Sequence, residues 1–171
     1  MKSFKEALKT LRCSKTFKEW AKKNKSCYLS YGFYVIDKTD TNWKIGYYDG
    51  KKDKITSFDI GNEIRVEPDE EVLKEERKKV EEINTKEIKF DLAEAVSLAN
   101  SIQKEEYVME NPIKVLAILQ NQESNNIWNI TFLTQNFNTL NFKIKADTGR
   151  ILDKKLTGLM SLGTMVKGNR E

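Results

Sequence analysis
Four carboxylates cluster at Glu70, Glu71, Glu75 and Glu76, and four more stand in short polar stretches at Asp37, Asp40, Asp49 and Asp53. Paired carboxylates do acid–base work when their surroundings drive their pKa values apart. The glutamates fall in a charged run that reads as a solvated helix face, and the aspartates lack calcium-loop spacing. Histidine is absent from all 171 residues, which removes Ser-His and Cys-His triads, imidazole proton shuttles and most protein zinc and iron sites. No Walker A, GxGxxG, HExxH or GxSxG pattern occurs. The chain therefore reads as no enzyme, with no catalytic residue, no metal site and no cofactor.

Two cysteines, Cys13 and Cys27, make no disulfide framework and no CxxC pair, and they read as reduced, core-filling thiols. A Cys13–Cys27 bond is the other reading. Two stretches could bind. Residues 1–25 hold nine Lys/Arg against two Glu, and Lys5, Lys9, Arg12, Lys15, Lys18, Lys22 and Lys23 could give a salt-sensitive grip on nucleic acid or a ribosome. Tyr31, Tyr34, Tyr47 and Tyr48 crowd two neighbouring segments with Phe33. One small helix cannot cover both faces of such strands. Period-two alternation places Tyr34 and Tyr48 opposite the Trp43 row, as an amphipathic patch for a protein or peptide.

The elements that must position these groups are legible from periodicity. Phe4, Leu8 and Leu11 make one helical stripe, and Phe17, Trp20 and Ala21 another, with a break near Cys13 where Ser14 or Thr16 caps the second segment. CYLSYGFYVID, apolar on both faces, reads as a central strand. Further strands follow around Trp43–Tyr47, Ile55–Ile60 and Ile64–Val66. Pro68 with its trailing acids opens a charged helix with a thin stripe at Val72, Leu73, Val80 and Ile83. Asp91 and Glu94 form a capping box for a helix that buries Leu92, Ala95, Val96, Ala99 and Ile102. IKVLAILQ is a strand and QESNN a loop. WNITF and LNFKI pair as strands, and a turn in which Asp147 accepts from the backbone two residues on and Gly149 takes a positive φ leads to Ile151.

An offset of 85 residues lays Trp43, Ile45 and Tyr47 on Trp128, Ile130 and Phe132 without a gap. One inserted residue brings Phe58 and Ile60 onto Phe142 and Ile144, and one more brings Val66 onto Ile151. The expected fold is α+β: two tandem cystatin-like units, each a helix packed on a three- or four-stranded antiparallel sheet. The units span 1–67 and 88–155, joined by a charged helix over 68–87 and followed by a tail at 156–171.

DLAEAVSLA, the strands WNITF and LNFKI, and the ending KADTGRIL resemble the PepSY domain over about residues 88–152. The first half matches only through the repeat, and its DIGNEIRV turn departs from the pattern. The resemblance implies a non-catalytic accessory protein that binds, inhibits or chaperones a protein partner, usually outside the cytoplasm. MKSFKEALKT lacks the apolar core of a secretory signal, so the sequence expectation is cytoplasmic, or extracytoplasmic if the N-terminus was trimmed. No apolar run approaches the ~20 residues of a membrane-spanning helix.

Overall fold
A computed structural model describes residues 2–37, 41–67, 70–71 and 79–158. Ser3 and Glu6 form a capping box that starts α1 (Phe4–Cys13), and Ser14 ends α1 while capping α2 (Lys15–Lys23). Four strands follow: β1 (Tyr28–Ile36), β2 (Trp43–Asp49), β3 (Lys54–Ile60) and β4 (Ile64–Val66), with the two-residue β5 (Glu70–Glu71). After a 3-10 turn at Thr85–Glu87, the Asp91–Glu94 capping box starts α3 (Leu92–Glu106). The chain then makes β6 (Pro112–Gln122), β7 (Asn125–Thr134), β8 (Asn138–Lys145) and β9 (Ile151–Gly158).

The described strands form one antiparallel sheet in the order β4-β3-β2-β1-β6-β7-β8-β9, with β5 beside β3. This α+β architecture differs from the expectation of two separate sheets. β1 and β6 pair from Tyr31↔Gln120 to Ile36↔Val115, so the two four-stranded meanders fuse at their first strands. Both strands carry apolar residues on both faces. The pairing partners are self-consistent with the 85-residue offset. Gly32 faces Leu119 and Tyr34 faces Ala117, so exchanging the halves maps each pair onto the other, about an axis at Phe33↔Ile118.

One face of the sheet carries the core. Trp43, Ile45, Tyr47 and Phe58 from one half, and Trp128, Ile130, Phe132, Leu140, Phe142 and Ile144 from the other, are buried in a single cluster. Phe4, Leu8 and Leu11 of α1 and Leu92, Ala95 and Ala99 of α3 close it from the same side. Phe4 stands edge-on to both tryptophans, 5.4 Å from Trp43 and 6.5 Å from Trp128 between ring centroids. Gly32 leaves the space that Phe4 fills, because a Cβ there would lie 2.4 Å from Phe4 Cε2.

Four expectations need correction. The charged helix is not helical at its described ends: Glu70 and Glu71 pair with Ile55 and Lys54, and Glu81 bridges to Asn121. Ile83 donates its amide to the Leu29 carbonyl at 2.9 Å and buries its side chain, so this segment wedges between the splayed ends of β1 and β6. The acidic run is spaced for a helix, but backbone donors and acceptors left open by that splay claim its last residues. Val72, Leu73, Glu75 and Glu76 lie outside the described residues, as does the tail beyond Gly158. Ile64, not Val66, occupies the place of Ile151: Ile60 pairs with Ile64 and Ile144 with Ile151. Cys13 is exposed at the end of α1, where the stripe has already turned to Leu11, while Cys27 is half-buried against the core. Asp147 does not cap the turn backbone; Gly149, at φ +73°, sends its amide to the Lys145 carbonyl instead. The glycine is needed there, since φ is positive and Phe90 packs 2.9 Å from where a Cβ would stand.

Candidate binding face
The second face of the sheet has no helix over it among the described residues. Register sets its composition. From β1 come Tyr31, Phe33 and Val35, opposite Gln120, Ile118 and Leu116 of β6. All six are partly buried, neither enclosed nor fully exposed. Leu133 continues the apolar stripe on β7, opposite Lys114. One flank is charged: Lys44 pairs with Phe33 and Asp59, and Asp59 with Arg65. The other flank is polar, with Asn129, Thr131, Asn141 and Lys143 in register. The result is an open apolar band about two strands wide between hydrophilic borders.

Tyr31 closes one end of the band. Its ring lies over Gly46, where a Cβ would fall 2.0 Å from Tyr31 Cε1, and its hydroxyl shares a 2.8 Å hydrogen bond with Ser57 Oγ. Burial pushes the Tyr31 phenol above its ordinary range, and the Ser57 bond opposes that shift. Lys44 Nζ donates to Glu67 Oε1, which raises the Lys44 ammonium's pKa.

Of the four tyrosines read from the sequence as a patch, only Tyr31 lies on this band. Tyr34 faces the core with its ring 5.0 Å from Trp43. A bulge between Leu29 and Tyr31 adds a residue to β1, so simple alternation counted across it assigns the wrong face. Tyr47 is in the core beneath Phe17 and Trp20 of α2. Burial raises its pKa, although Arg12 Nε donates to its hydroxyl at 3.2 Å. Tyr48 does lie opposite the Trp43 row, but it is buried against Tyr28, 5.5 Å away, and donates to Asp53 Oδ1 at 2.6 Å. Phe33, read beside those tyrosines, is on the band, but its other members, Val35, Leu116, Ile118 and Leu133, were missed. Their signal was present: CYLSYGFYVID and IKVLAILQ are apolar at odd and even positions alike.

The basic residues Lys5, Lys9, Arg12, Lys15, Lys18, Lys22 and Lys23 are all exposed on α1 and α2. Arg12 is engaged with Tyr47, and Lys15 approaches Glu19 at 3.8 Å. The loop acids do not converge. Asp37 pairs with Lys114 at 2.9 Å, Asp49 accepts from the Lys51 amide and Asp53 from Tyr48, while Asp40 lies outside the described residues. Among the described residues no group of three or more Cys, Asp or Glu is placed to hold a metal ion, and no helix is long and apolar enough to cross a membrane.

No protein-family model matches this chain, and no curated protein matches it. Among solved structures, its fold is similar to that of a chain described as a "putative lipoprotein" from Clostridium difficile 630. The two share 15% identity at a TM-score of 0.55, over 82% of this chain and 90% of the other. At that identity the likeness is one of fold.

Proposed function
We propose that this chain is a non-enzymatic accessory module of PepSY-like type that binds a protein or peptide on the open face of its sheet. The observation that carries the reading is the band of Phe33, Val35, Leu116 and Ile118 across the two central strands, which no helix covers among the described residues. The solvent side of an antiparallel sheet is ordinarily polar, and an apolar stripe there rimmed by polar groups marks an interaction surface. Lys44, Asp59 and Arg65 on one border and Asn129, Asn141 and Lys143 on the other would orient the occupant by hydrogen bonds. The tandem cystatin-like reading is supported by the equal roles of residues 85 apart: Gly32 and Ala117, Trp43 and Trp128, Ile45 and Ile130. An extracytoplasmic setting accords with the description carried by the structural neighbour.

The test is a capture experiment at near-physiological salt with the whole chain and a Phe33→Asp/Ile118→Asp variant. A protein retained by the wild type and lost by the variant, with the thermal transitions of both alike, supports the reading. Equal retention by both, or no retained protein, refutes it. Capture of nucleic acid that fades as salt rises, and that survives this variant, would move the function to the basic residues of α1 and α2.

A further inference from the structure
The two edges of the sheet differ. β4 is three residues long, whereas β9 runs for eight, and no strand among the described residues pairs with the outer side of β9. An open strand edge presents backbone N–H and C=O groups ready to pair with another chain. Side chains along it are exposed from Leu152 to Leu156, the two leucines by 41 and 44%. Lys154 and Leu156 stand opposite Phe142 and Leu140, on the core side of the sheet. Asp153 and Lys155 stand opposite Lys143 and Asn141, on the open side. A bulge sets Ile151 and Leu152 together against Ile144, which keeps Leu152 on the core side with Lys154 and Leu156.

Residues 152–156 read Leu-Asp-Lys-Lys-Leu, and this run is complementary to its own reverse. A twofold axis that pairs two copies of one strand antiparallel stands perpendicular to the sheet, so residues brought opposite each other share a face. With the axis at Lys154, Leu152 meets Leu156 of the second copy and Asp153 meets its Lys155, each contact occurring twice. An axis at Asp153 or Lys155 instead sets leucine against lysine and a carboxylate against its own copy or against Thr157. Lys154 does meet its own copy on the favoured axis, but Glu106 of α3 already holds its ammonium, with Oε2 2.5 Å from Nζ. Lysines on an edge ordinarily keep strands apart; here each has a counter-ion, one within the chain and one across the axis. We propose that β9 is a homodimer interface at which two copies pair edge to edge about Lys154 and continue the sheet across both subunits. β9 lies three strands from β6, so the proposal is independent of the binding band. A single strand pair falls below the roughly 1,200 Å² at which standard interfaces begin, so the dimer is expected to dissociate in the micromolar range.

Sedimentation velocity of the whole chain from about 1 to 300 μM tests it. The wild type should pass from monomer to dimer over that range. Asp153→Lys alone and Lys155→Asp alone each set like charges opposite across the axis, and each should weaken the dimer by about tenfold or more. The two single variants are complementary to each other, so mixing them should restore association, and the double variant Asp153→Lys/Lys155→Asp should dimerise by itself. Thermal transitions near that of the wild type establish that the variants are folded. If a charge variant fails to fold, Leu156→Asp serves instead, since it leaves Asp153 and Lys155 in place and should abolish the dimer. A wild type that stays monomeric at the highest concentration overturns the proposal. So does a dimer indifferent to the single charge variants or to Leu156→Asp, and so do single variants that remain apart when mixed.

Discussion
Trp43 and Trp128 lie 6.3 Å apart between ring centroids, and each donates its indole N–H to the carbonyl just ahead of a helix N-cap. Trp43 reaches Lys2, before Ser3 of α1, at 2.9 Å, and Trp128 reaches Phe90, before Asp91 of α3, at 2.8 Å. Each tryptophan thereby ties a strand to the entry of the helix that covers it, and both helices begin with a capping box. Trp43→Phe and Trp128→Phe should each cost about 1–3 kcal/mol, from the lost hydrogen bond and the unfilled space. Because the rings are in one cluster, the double variant should depart from additivity by about 0.5 kcal/mol or more. Urea denaturation of the four proteins measures both quantities. Losses that differ severalfold would argue against equivalent roles.

Gly32 sets how closely α1 approaches the sheet. A methyl group there meets Phe4 Cε2 and Cδ2, and also Trp43 Cζ3 at 3.3 Å. Phe4 cannot step aside, since its ring is wholly buried beside both tryptophans. Gly32→Ala is therefore expected to destabilise by about 1–3 kcal/mol, as overpacking does. Combining it with Phe4→Leu should recover part of the loss. Thermal denaturation of the single and double variants decides it, and a harmless Gly32→Ala would show that α1 is loosely seated.

Much of this architecture is readable before any coordinates. The Asp91–Glu94 capping box, the Ser14 junction and the strand pairs around the two tryptophans are local or period-two signals, and the structure has them where the spacing puts them. What escaped depended on long-range partners. Tyr34 was placed on the wrong face because a bulge is invisible in residue types. The union of β1 with β6 joins residues from 79 (Ile36↔Val115) to 89 (Tyr31↔Gln120) apart in sequence, and only the doubly apolar character of both strands hinted at it. The binding band itself follows from that union, so it could not be assembled from the sequence alone.

The wedge at Val80–Ile83 shows the same dependence and is testable. Ile83 is buried, its amide bonds to Leu29, Asn121 Nδ2 donates to the Glu82 carbonyl at 2.7 Å, and Tyr28 holds the Val80 carbonyl at 2.8 Å. This segment closes the gap where β1 and β6 part, so its side chain is core and not helix surface. Ile83→Ala should cost about 2–4 kcal/mol, whereas the same change at the exposed surface of a charged helix would cost a few tenths. A small effect in chemical denaturation would return the segment to the solvated role that its composition suggests.

Glu110, which accepts from Thr134 and Asn138 at the β7–β8 hairpin, should make that end of the sheet sensitive to acid. The Thr134 hydroxyl, helped by Asn138 and Asn136, donates to its carboxylate and lowers its pKa against the opposing pull of burial. A carboxyl that binds its proton more weakly folded than unfolded adds stability above the ordinary glutamate pKa of about 4.3. That contribution is lost as the pH falls below this value and through the lowered folded pKa. Glu110→Gln cannot titrate and sets an amide NH2 against donors, so it should cost about 1–3 kcal/mol at neutral pH. The gap between wild type and variant should narrow on acidification. Denaturant melts of both proteins from pH 7 to 3 follow that gap, and the carboxyl carbon shift of Glu110 reports the group directly. A midpoint at or above the ordinary value would mean that the Thr134–Asn138 network does not favour the charge.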